Sequence, residues 1–332
     1  MAAFAATLLA IALAVFLTSR CDMLLFLLSA KEDLLTKMGV AAGPSPFQNQ
    51  VILVTGASSG IGRSLAENLH RAGAKVIAVA RRRDMLEELA AAFGGIETYA
   101  FDITNFEEQE RVFADIMAIH GRIDQVVLNA GRSQRLLAVD TVVSLTKELF
   151  DLNFFSYLNL VQKHVLPQMI KQGGGSLLVL SSISGKIGTP IASSYSATKF
   201  ALHGYFDALR SEVSALHGIT VQLVCPGPVA TEIAEKTIRD DKYPVAKEGE
   251  KMGVEECCKY ILVGMRHRHL VQEMWISSQP ILLITYVATN LPYMARLLFD
   301  RVVGPSRVRA LAGGEDIYDV KKMFGLAGRG AA

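Results

Sequence analysis

The chain has 332 residues and a net charge of +2, and 51% of its residues are hydrophobic and 20% charged. Because the net charge is close to zero and no long basic run occurs, nucleic acid is not an expected partner. The length suits one large α/β domain or two smaller ones. The four cysteines follow neither a metal-ligand nor a disulfide pattern, so no metal site is expected.

The chain begins with an uncharged apolar run over residues 1–19, and a second apolar stretch follows Arg20 and Asp22. A membrane span needs about 20 apolar residues, so residues 1–30 are predicted to form an N-terminal membrane anchor helix. A cleaved signal peptide and a peripheral hairpin are the alternatives, although a signal peptide usually has a basic start and a small-residue cleavage site. Basic residues follow this run and none precedes it, which favours a cytosolic position for the rest of the chain.

After a linker at residues 31–49, apolar runs typical of buried strands alternate with helical patterns. This alternation predicts one α/β domain over residues 50–277, with a parallel sheet covered by helices on both faces. The strands are predicted at residues 51–55, 75–80, 97–101, 124–129, 176–182, 220–225 and 273–277, and the first two helices at 60–72 and 83–93.

The pattern is less regular beyond the sixth strand. Residues 229–254 are rich in Lys, Glu and Asp and are predicted to form a mobile loop region. Residues 278–332 form a C-terminal extension, in which 280–299 is apolar as far as Arg296. Two prolines and scattered polar residues favour pocket lining or contact with a membrane surface over a second span.

The first predicted strand runs into a glycine-rich turn, 55-TGASSGIG-62, and then into a helix. Such a turn points backbone N–H groups and the positive end of the helix dipole at a pyrophosphate, and glycine permits the close approach. No Gly-Lys-Ser/Thr follows, so this is not a P-loop; a glycine-rich turn without a ligand is the alternative. The predicted dinucleotide contacts here are Gly56, Ser58, Ser59, Gly60, Ile61 and Gly62.

The end of the second strand favours NADP(H) over NAD. An acidic residue at this position would bind the ribose hydroxyls of NAD, but the chain has Ala80, followed by three arginines. A planar guanidinium suits the 2′-phosphate of NADP(H). Arg81 and Arg82 are therefore predicted to contact the cofactor, and Arg83 to solvate the start of the next helix.

Polar and small residues also follow the third and fourth strands. Asp102 comes after the third strand, and 129-NAG-131 comes after the fourth. Open α/β sheets bind ligands at the carboxyl ends of their strands. These residues are therefore candidates for the same cofactor site.

The segment 195-YSATK-199 places a tyrosine and a lysine four residues apart, on one face of a helix. The ammonium of Lys199 is expected to lower the pKa of Tyr195 from its usual value near 10, so that the tyrosine can exchange a proton nearer physiological pH. Ser182, at the end of the fifth strand, can hydrogen-bond a carbonyl oxygen, and Asn153 can hold a water that continues the proton path. By itself YSATK is more typical of an ordinary surface helix, but the glycine-rich turn and the correctly spaced serine reverse that weighting and favour the chemical interpretation.

Together TGASSGIG, NAG, Ser182, YSATK and 226-PGPVAT-231 resemble the short-chain dehydrogenase/reductase family over residues 49–277. The resemblance implies a single Rossmann domain with a doubly wound, seven-stranded parallel sheet, and hydride transfer from a nicotinamide. It implies that Tyr195 is the acid/base, that Lys199 lowers its pKa and binds the nicotinamide ribose, and that Ser182 orients the carbonyl. Asn153 would anchor the proton relay.

The resemblance also implies further contacts with the cofactor. These are Asp102 and Ile103 at the adenine, Asn129, Ala130 and Gly131 at the ribose, and Pro226, Gly227, Val229 and Thr231 at the nicotinamide. Leu128 stands where many members have an asparagine. A leucine cannot form the structural hydrogen bond of that asparagine, but the catalytic groups are not affected.

A narrower similarity in GRSQR (131–135), CPGPV (225–229) and residues 273–286 points to a membrane-associated branch of this family in the endoplasmic reticulum. It implies NADPH-dependent reduction of lipophilic carbonyls such as retinal, ketosteroids and small aromatic carbonyls, with membrane lipid as a further partner. The family resemblance also implies a homodimer or homotetramer. Two alternatives are an NAD(P)-binding module that acts through a partner without catalysis, and an NAD-dependent alcohol dehydrogenase.

Overall fold

The computed structural model describes residues 47–232, 237–244 and 251–319. The predicted anchor and all but the last three residues of the predicted linker lie outside the described residues. Within the described ranges, no helix is both long enough and apolar enough to cross a membrane.

Seven parallel strands form a single sheet in the order β3-β2-β1-β4-β5-β6-β7. The predicted sheet is confirmed, and each strand begins and ends within two residues of its predicted bounds. The strands are β1 (Val51–Thr55), β2 (Lys75–Ala80), β3 (Glu97–Ala100), β4 (Gln125–Leu128), β5 (Gly175–Leu180), β6 (Ile219–Pro226) and β7 (Glu273–Ile276). The strand order reverses between the neighbours β1 and β4, which creates a crevice at their carboxyl ends.

Helices cover both faces of the sheet. They are α1 (Gly60–Arg71), α2 (Arg83–Ala92), α3 (Phe106–His120), α4 (143–172), α5 (Ser193–His217), α6 (Val254–Arg266), α7 (Ile281–Asn290) and α8 (292–313). Within α4 the segments Asp151–Phe155 and Leu160–Val165 are wound more widely, as π-helix, and so is Phe299–Val303 within α8.

Alternate side chains of each strand enter different cores, because successive residues of a strand point to opposite faces. In β1, Ile52 and Val54 pack in the cluster that contains Leu65 of α1. Val51 and Leu53 pack in the cluster on the other face, with residues of α3, α4 and α5. The central strands are buried on both faces, which is why their sequences are nearly continuous apolar runs, whereas the edge strand β3 is only half-buried.

The C-terminal extension folds back over the crevice. Its apolar segment 280–299 is divided at Leu291 between α7 and α8, and Ile281, Ile284 and Phe299 line the central cavity. Of the alternatives for this segment, the structure agrees with pocket lining.

The predicted mobile loop is attached to the domain in two places. Val229 pairs with Met252, and Ile238 pairs with Gln134. Backbone hydrogen bonds hold these positions against the domain, and the mobility of the region stays a prediction.

Candidate active site

A cavity of about 400 Å³ opens at the carboxyl ends of the central strands. The structure brings to its wall residues from every predicted motif, and of the predicted site residues only Gly62, Asp102 and Asn153 do not line it. The lining members are Gly56, Ser58, Ser59, Gly60, Ile61, Arg81, Arg82, Ile103, Asn129, Ala130, Gly131, Ser182, Tyr195, Lys199, Pro226, Gly227, Val229 and Thr231.

The glycine-rich turn has no room for side chains. Gly56 has a φ of +69°, and a Cβ there would lie 2.8 Å from the Cα of Ala130. A Cβ on Gly62 would lie 2.3 Å from the carbonyl oxygen of Gly56, and one on Gly60 would lie 3.2 Å from Thr231. The turn therefore leaves a backbone-walled cradle at the amino end of α1, and a dinucleotide pyrophosphate fits this arrangement of N–H groups.

Asn129 connects this turn to the fourth strand. Its amide nitrogen donates to the carbonyl oxygens of Thr55, at 2.9 Å, and Gly56, at 3.2 Å, and its backbone N–H donates to the Thr55 hydroxyl. Leu128, where many family members have an asparagine, is fully buried in the core. The side chain of Leu128 thus packs in the hydrophobic core and makes no hydrogen bond. Asn129, the next residue, supplies hydrogen bonds that connect the end of β4 to the turn.

Arg82 lies across the mouth of the glycine-rich turn. Its guanidinium donates to the hydroxyls of Ser58, at 2.9 Å, and Ser59, at 2.6 Å, and forms an ion pair with Glu232 at 3.0 Å. The exposed Arg83 begins α2. The position of Arg82 is one from which it can reach an anion bound at this turn.

Asp102 lies behind Arg81, whose guanidinium nitrogen is 3.5 Å from the carboxylate. Thr104 donates to the same carboxylate through its backbone N–H at 2.9 Å and its hydroxyl at 2.8 Å. Burial raises the pKa of Asp102, but the hydrogen bonds from Thr104 and the charge of Arg81 more than offset this and lower it. The carboxylate is thus held in its charged form beside Arg81.

Helix α5 presents Tyr195 and Lys199 to the cavity one turn apart, and Ser182 faces them from the end of β5. The Lys199 ammonium donates to the carbonyl oxygen of Leu180 at 2.8 Å and lies 5.7 Å from the centre of the Tyr195 ring. The Ser182 hydroxyl donates to the carbonyl oxygen of Pro226 at 3.3 Å. Three of the four predicted catalytic side chains thus share one wall of the cavity.

The electrostatics of this group differ from the prediction. Burial raises the pKa of Tyr195 to about 12, although the hydrogen bond with Ser182 lowers it, and Tyr318 adds to the increase. Burial also lowers the pKa of Lys199 to about 8. In the chain alone the net shift of the Tyr195 pKa is therefore upward, opposite to the expected lowering, because desolvation of the phenolate dominates and the ammonium is bonded to Leu180.

Asn153 lies in the first π-helical segment of α4 and is completely buried. Its side chain accepts from the backbone N–H of Arg132 at 3.0 Å, and donates to the Arg132 carbonyl at 3.0 Å and to the Thr198 hydroxyl at 3.1 Å. These contacts connect α4, α5 and the loop after β4. The part of Asn153 in a proton relay stays a prediction.

Some residues of the site gave no readable signal in the sequence. Gln134 accepts at its side-chain oxygen from the backbone N–H groups of Ser194, at 3.1 Å, and Tyr195, at 3.3 Å, and so caps the start of α5. Arg307 and Tyr318 reach the cavity from the C-terminal extension. Only the folding back of this extension brings them there, so no local motif identifies them.

Comparison with known proteins agrees with this geometry. The family model for short chain dehydrogenase matches residues 50–242. The chain therefore belongs to the short-chain dehydrogenase family, with a Rossmann-type fold, and is an oxidoreductase whose fold binds a nicotinamide dinucleotide.

The chain is also similar to individual proteins of this family. The chain is 34% identical over 280 residues to Dehydrogenase/reductase SDR family member 7 of Homo sapiens, covering 81% of each chain. It is 36% identical over 221 residues to member 7B of Danio rerio, covering 63% of this chain and 71% of that one. A solved short-chain dehydrogenase from Streptomyces avermitilis superposes with a TM-score of 0.65 and 29% identity, covering 76% of this chain and 96% of that one.

Proposed function

We propose that this chain is an NADPH-dependent carbonyl reductase that transfers a hydride to a lipophilic ketone or aldehyde, in a reaction that is reversible. The observation that supports this most directly is the meeting of Ser182, Tyr195 and Lys199 on one wall of a cavity that also contains the glycine-rich turn. A module that bound a dinucleotide only for structure would need none of the three.

The proposed cofactor is NADP(H). Gly56, Gly60 and the residues after β4 would hold its pyrophosphate and ribose side, and Arg81 and Arg82 its 2′-phosphate. Ala80, at the end of β2, offers no carboxylate to the ribose hydroxyls that NAD presents. When bound, the reduced nicotinamide supplies the hydride.

In the proposed reaction the carbonyl carbon gains the hydride and the carbonyl oxygen gains a proton from Tyr195. The pKa of about 12 keeps Tyr195 protonated at neutral pH, as a proton donor must be. Ser182 donates a hydrogen bond to the same oxygen and orients it. Lys199, which is largely protonated at neutral pH, stabilises the tyrosinate that forms, and solvent returns the proton.

The proposed substrate is lipophilic because the far side of the cavity is apolar. Its walls there come from the loop after β5 and from the C-terminal extension, and include Ile187, Pro190, Ile281, Ile284, Phe299 and Val303. Retinoids, ketosteroids and small aromatic carbonyls are the candidate classes. An anchor at residues 1–30, in the membrane of the endoplasmic reticulum, would hold the cavity near lipid-dissolved substrates.

The test is NADPH oxidation by the full chain in a non-ionic detergent, with retinal, a ketosteroid and an aromatic dione, and with NADH in a parallel series. We expect turnover that prefers NADPH. Tight NADPH binding without turnover of any carbonyl would favour the non-catalytic module. A clear preference for NADH, with oxidation of the alcohols, would favour the NAD-dependent dehydrogenase.

A further inference from the structure

Two arginines lie at the end of the cavity that the substrate would occupy. Arg307 of α8 is buried, with 6% of its surface exposed, and Arg135 comes from the loop after β4. The side chain of Tyr318 lies between them, with its ring centre 5.1 Å from the Cζ of Arg307 and 5.7 Å from that of Arg135. Two positively charged groups therefore share one side chain inside the protein, and they lower the pKa of its phenol.

Within the part of the chain that the structure describes, no carboxylate neutralises the charge of this pair. Both guanidiniums hydrogen-bond with Tyr318, and neither forms an ion pair with a carboxylate. The Nε of Arg307 has no hydrogen-bond partner, and Asp316 attracts this guanidinium only from a distance. A buried charge without a counter-ion is costly, so the site is electrostatically suited to an anion.

The cavity wall as a whole contains no acidic residue among the described positions. Its basic members are Arg81, Arg82, Arg132, Arg135, Lys199, Lys251 and Arg307. Bound dinucleotide phosphates would neutralise the end near α1. The opposite end, at Arg307, would remain positive.

The arginine pair and the reacting groups belong to one space. Tyr318 contacts both guanidiniums and also acts electrostatically on Tyr195. Apolar side chains of α7 and α8, including Ile284, Phe299 and Val303, line the same cavity. A ligand that fits would therefore combine a carbonyl, an apolar body and an anionic group.

We propose that Arg307, assisted by Arg135, binds the carboxylate of an oxo-carboxylic acid whose carbonyl lies at Tyr195. This inference rests on the proposed function and specifies its substrate class. A guanidinium presents parallel N–H groups that match the two oxygens of a carboxylate. Reduction would convert the oxo acid to a hydroxy acid, with the hydride from the nicotinamide and the proton from Tyr195. If the pair served only to hold Tyr318 and the extension in place, the enzyme would show no preference for charge.

The first experiment compares an ω-oxo medium-chain fatty acid with its methyl ester, which differ only in charge at one end. We expect kcat/KM to be roughly 10- to 100-fold higher for the acid, the range expected for a charge-assisted hydrogen bond. In Arg307→Met this ratio should fall to near one. Arg309→Met, an exposed arginine on the same helix, is the matched control and should keep the wild-type ratio. Equal turnover of acid and ester by the wild type, or an unchanged ratio in Arg307→Met, would overturn the inference.

A second measurement does not depend on turnover. Binding of decanoic acid and of methyl decanoate to the full chain with NADPH present is measured by calorimetry, for the wild type and for Arg307→Met, Arg307→Lys and Arg135→Met. We expect the wild type to bind the acid at least tenfold more tightly than the ester, Arg307→Met to lose this preference and Arg307→Lys to keep part of it. Arg135→Met should reduce the preference, and it replaces Arg307→Met as the test if that variant does not fold. Failure of the wild type to prefer the acid overturns the inference. Preferential acid binding without turnover of any carbonyl supports the anion site and overturns the proposed function.

Discussion

The ammonium nitrogen of Lys199 lies 5.7 Å from the centre of the Tyr195 ring and donates its hydrogen bond to the Leu180 carbonyl oxygen. It is buried, and among the described residues no carboxylate pairs with it. A buried ammonium without a carboxylate partner lowers the free energy of unfolding. Groups that destabilise a protein in this way are commonly retained because the function needs them.

Lys199→Met should therefore stabilise the chain while abolishing turnover. The pKa of Lys199 is lowered by burial from 10.5 to about 8. Below pH 8 the folded and unfolded chains both hold the proton, so the full cost is present, and we expect a gain of about 1–2 kcal/mol in the free energy of unfolding of the variant at pH 7. Above pH 8 the folded wild type releases a proton that the unfolded chain keeps up to 10.5, so the difference should shrink. Urea denaturation at pH 7 and pH 10 checks this, and a variant less stable than the wild type at pH 7 would contradict it.

The two glycines Gly62 and Gly204 should respond in opposite ways to alanine. A Cβ on Gly62 would meet the Gly56 carbonyl oxygen at 2.3 Å, whereas nothing lies within 4 Å of one on Gly204, which is exposed in α5. We expect Gly62→Ala to cost about 2–3 kcal/mol of stability and to impair NADPH binding. Gly204→Ala should add about 0.5–1 kcal/mol, because alanine loses less backbone entropy in a helix. Thermal unfolding and NADPH titration of both variants measure these effects. Equal changes in stability and in NADPH affinity for the two variants would contradict the close packing described at the glycine-rich turn.

The cofactor preference should depend on the end of β2. Ala80→Asp places a carboxylate where NAD presents its ribose hydroxyls and NADPH its phosphate. Arg82→Gln removes the guanidinium that contacts Ser58 and Ser59. We expect each change to lower the ratio of NADPH to NADH in kcat/KM by roughly 10- to 100-fold, about the free energy of a charge-assisted hydrogen bond. Arg83→Gln is the matched control, and an equal loss in that variant would contradict the assignment.

Much of the fold and of the site could be predicted because short contiguous segments of the sequence determine it. The apolar runs identified all seven strands, and the glycine-rich turn identified the dinucleotide cradle. The upward shift of the Tyr195 pKa and the contacts of Asn153 could not be predicted from the sequence, since both depend on burial and on partners distant in the chain. Arg307 enters the site only through the return of the C-terminal extension, and no periodicity or motif predicts that tertiary contact.

His203 should make the protein sensitive to acid. Its Nε2 lies 3.5 Å from the sulfur of Cys225 and its Nδ1 lies 3.7 Å from Glu273, which pairs with Lys186 at 2.8 Å. Burial and the charge of Lys186 lower the pKa of His203 from 6.5 to about 4, although Glu273 and Asp207 oppose this. As pH falls through this window the unfolded chain takes up the proton first, so stability is lost between pH 6.5 and about 4.

His203→Gln should remove this part of the acid destabilisation, which is on the order of 2 kcal/mol. Urea denaturation of the wild type and the variant across the same pH range measures the difference, with a variant of an exposed histidine, His269→Gln, as the control. Identical pH profiles for the wild type and His203→Gln would show that the histidine is not held neutral by its surroundings.

The central claim is that Tyr195 donates the proton in carbonyl reduction. The most direct measurement is NADPH oxidation by Tyr195→Phe, beside NADPH binding to the same variant. Loss of the phenol hydroxyl should lower turnover by about 10²- to 10⁴-fold, the range of general acid catalysis, while NADPH affinity stays within about threefold because the cradle of β1 and α1 is untouched. Full turnover in Tyr195→Phe would contradict the account and would require another proton donor on the cavity wall.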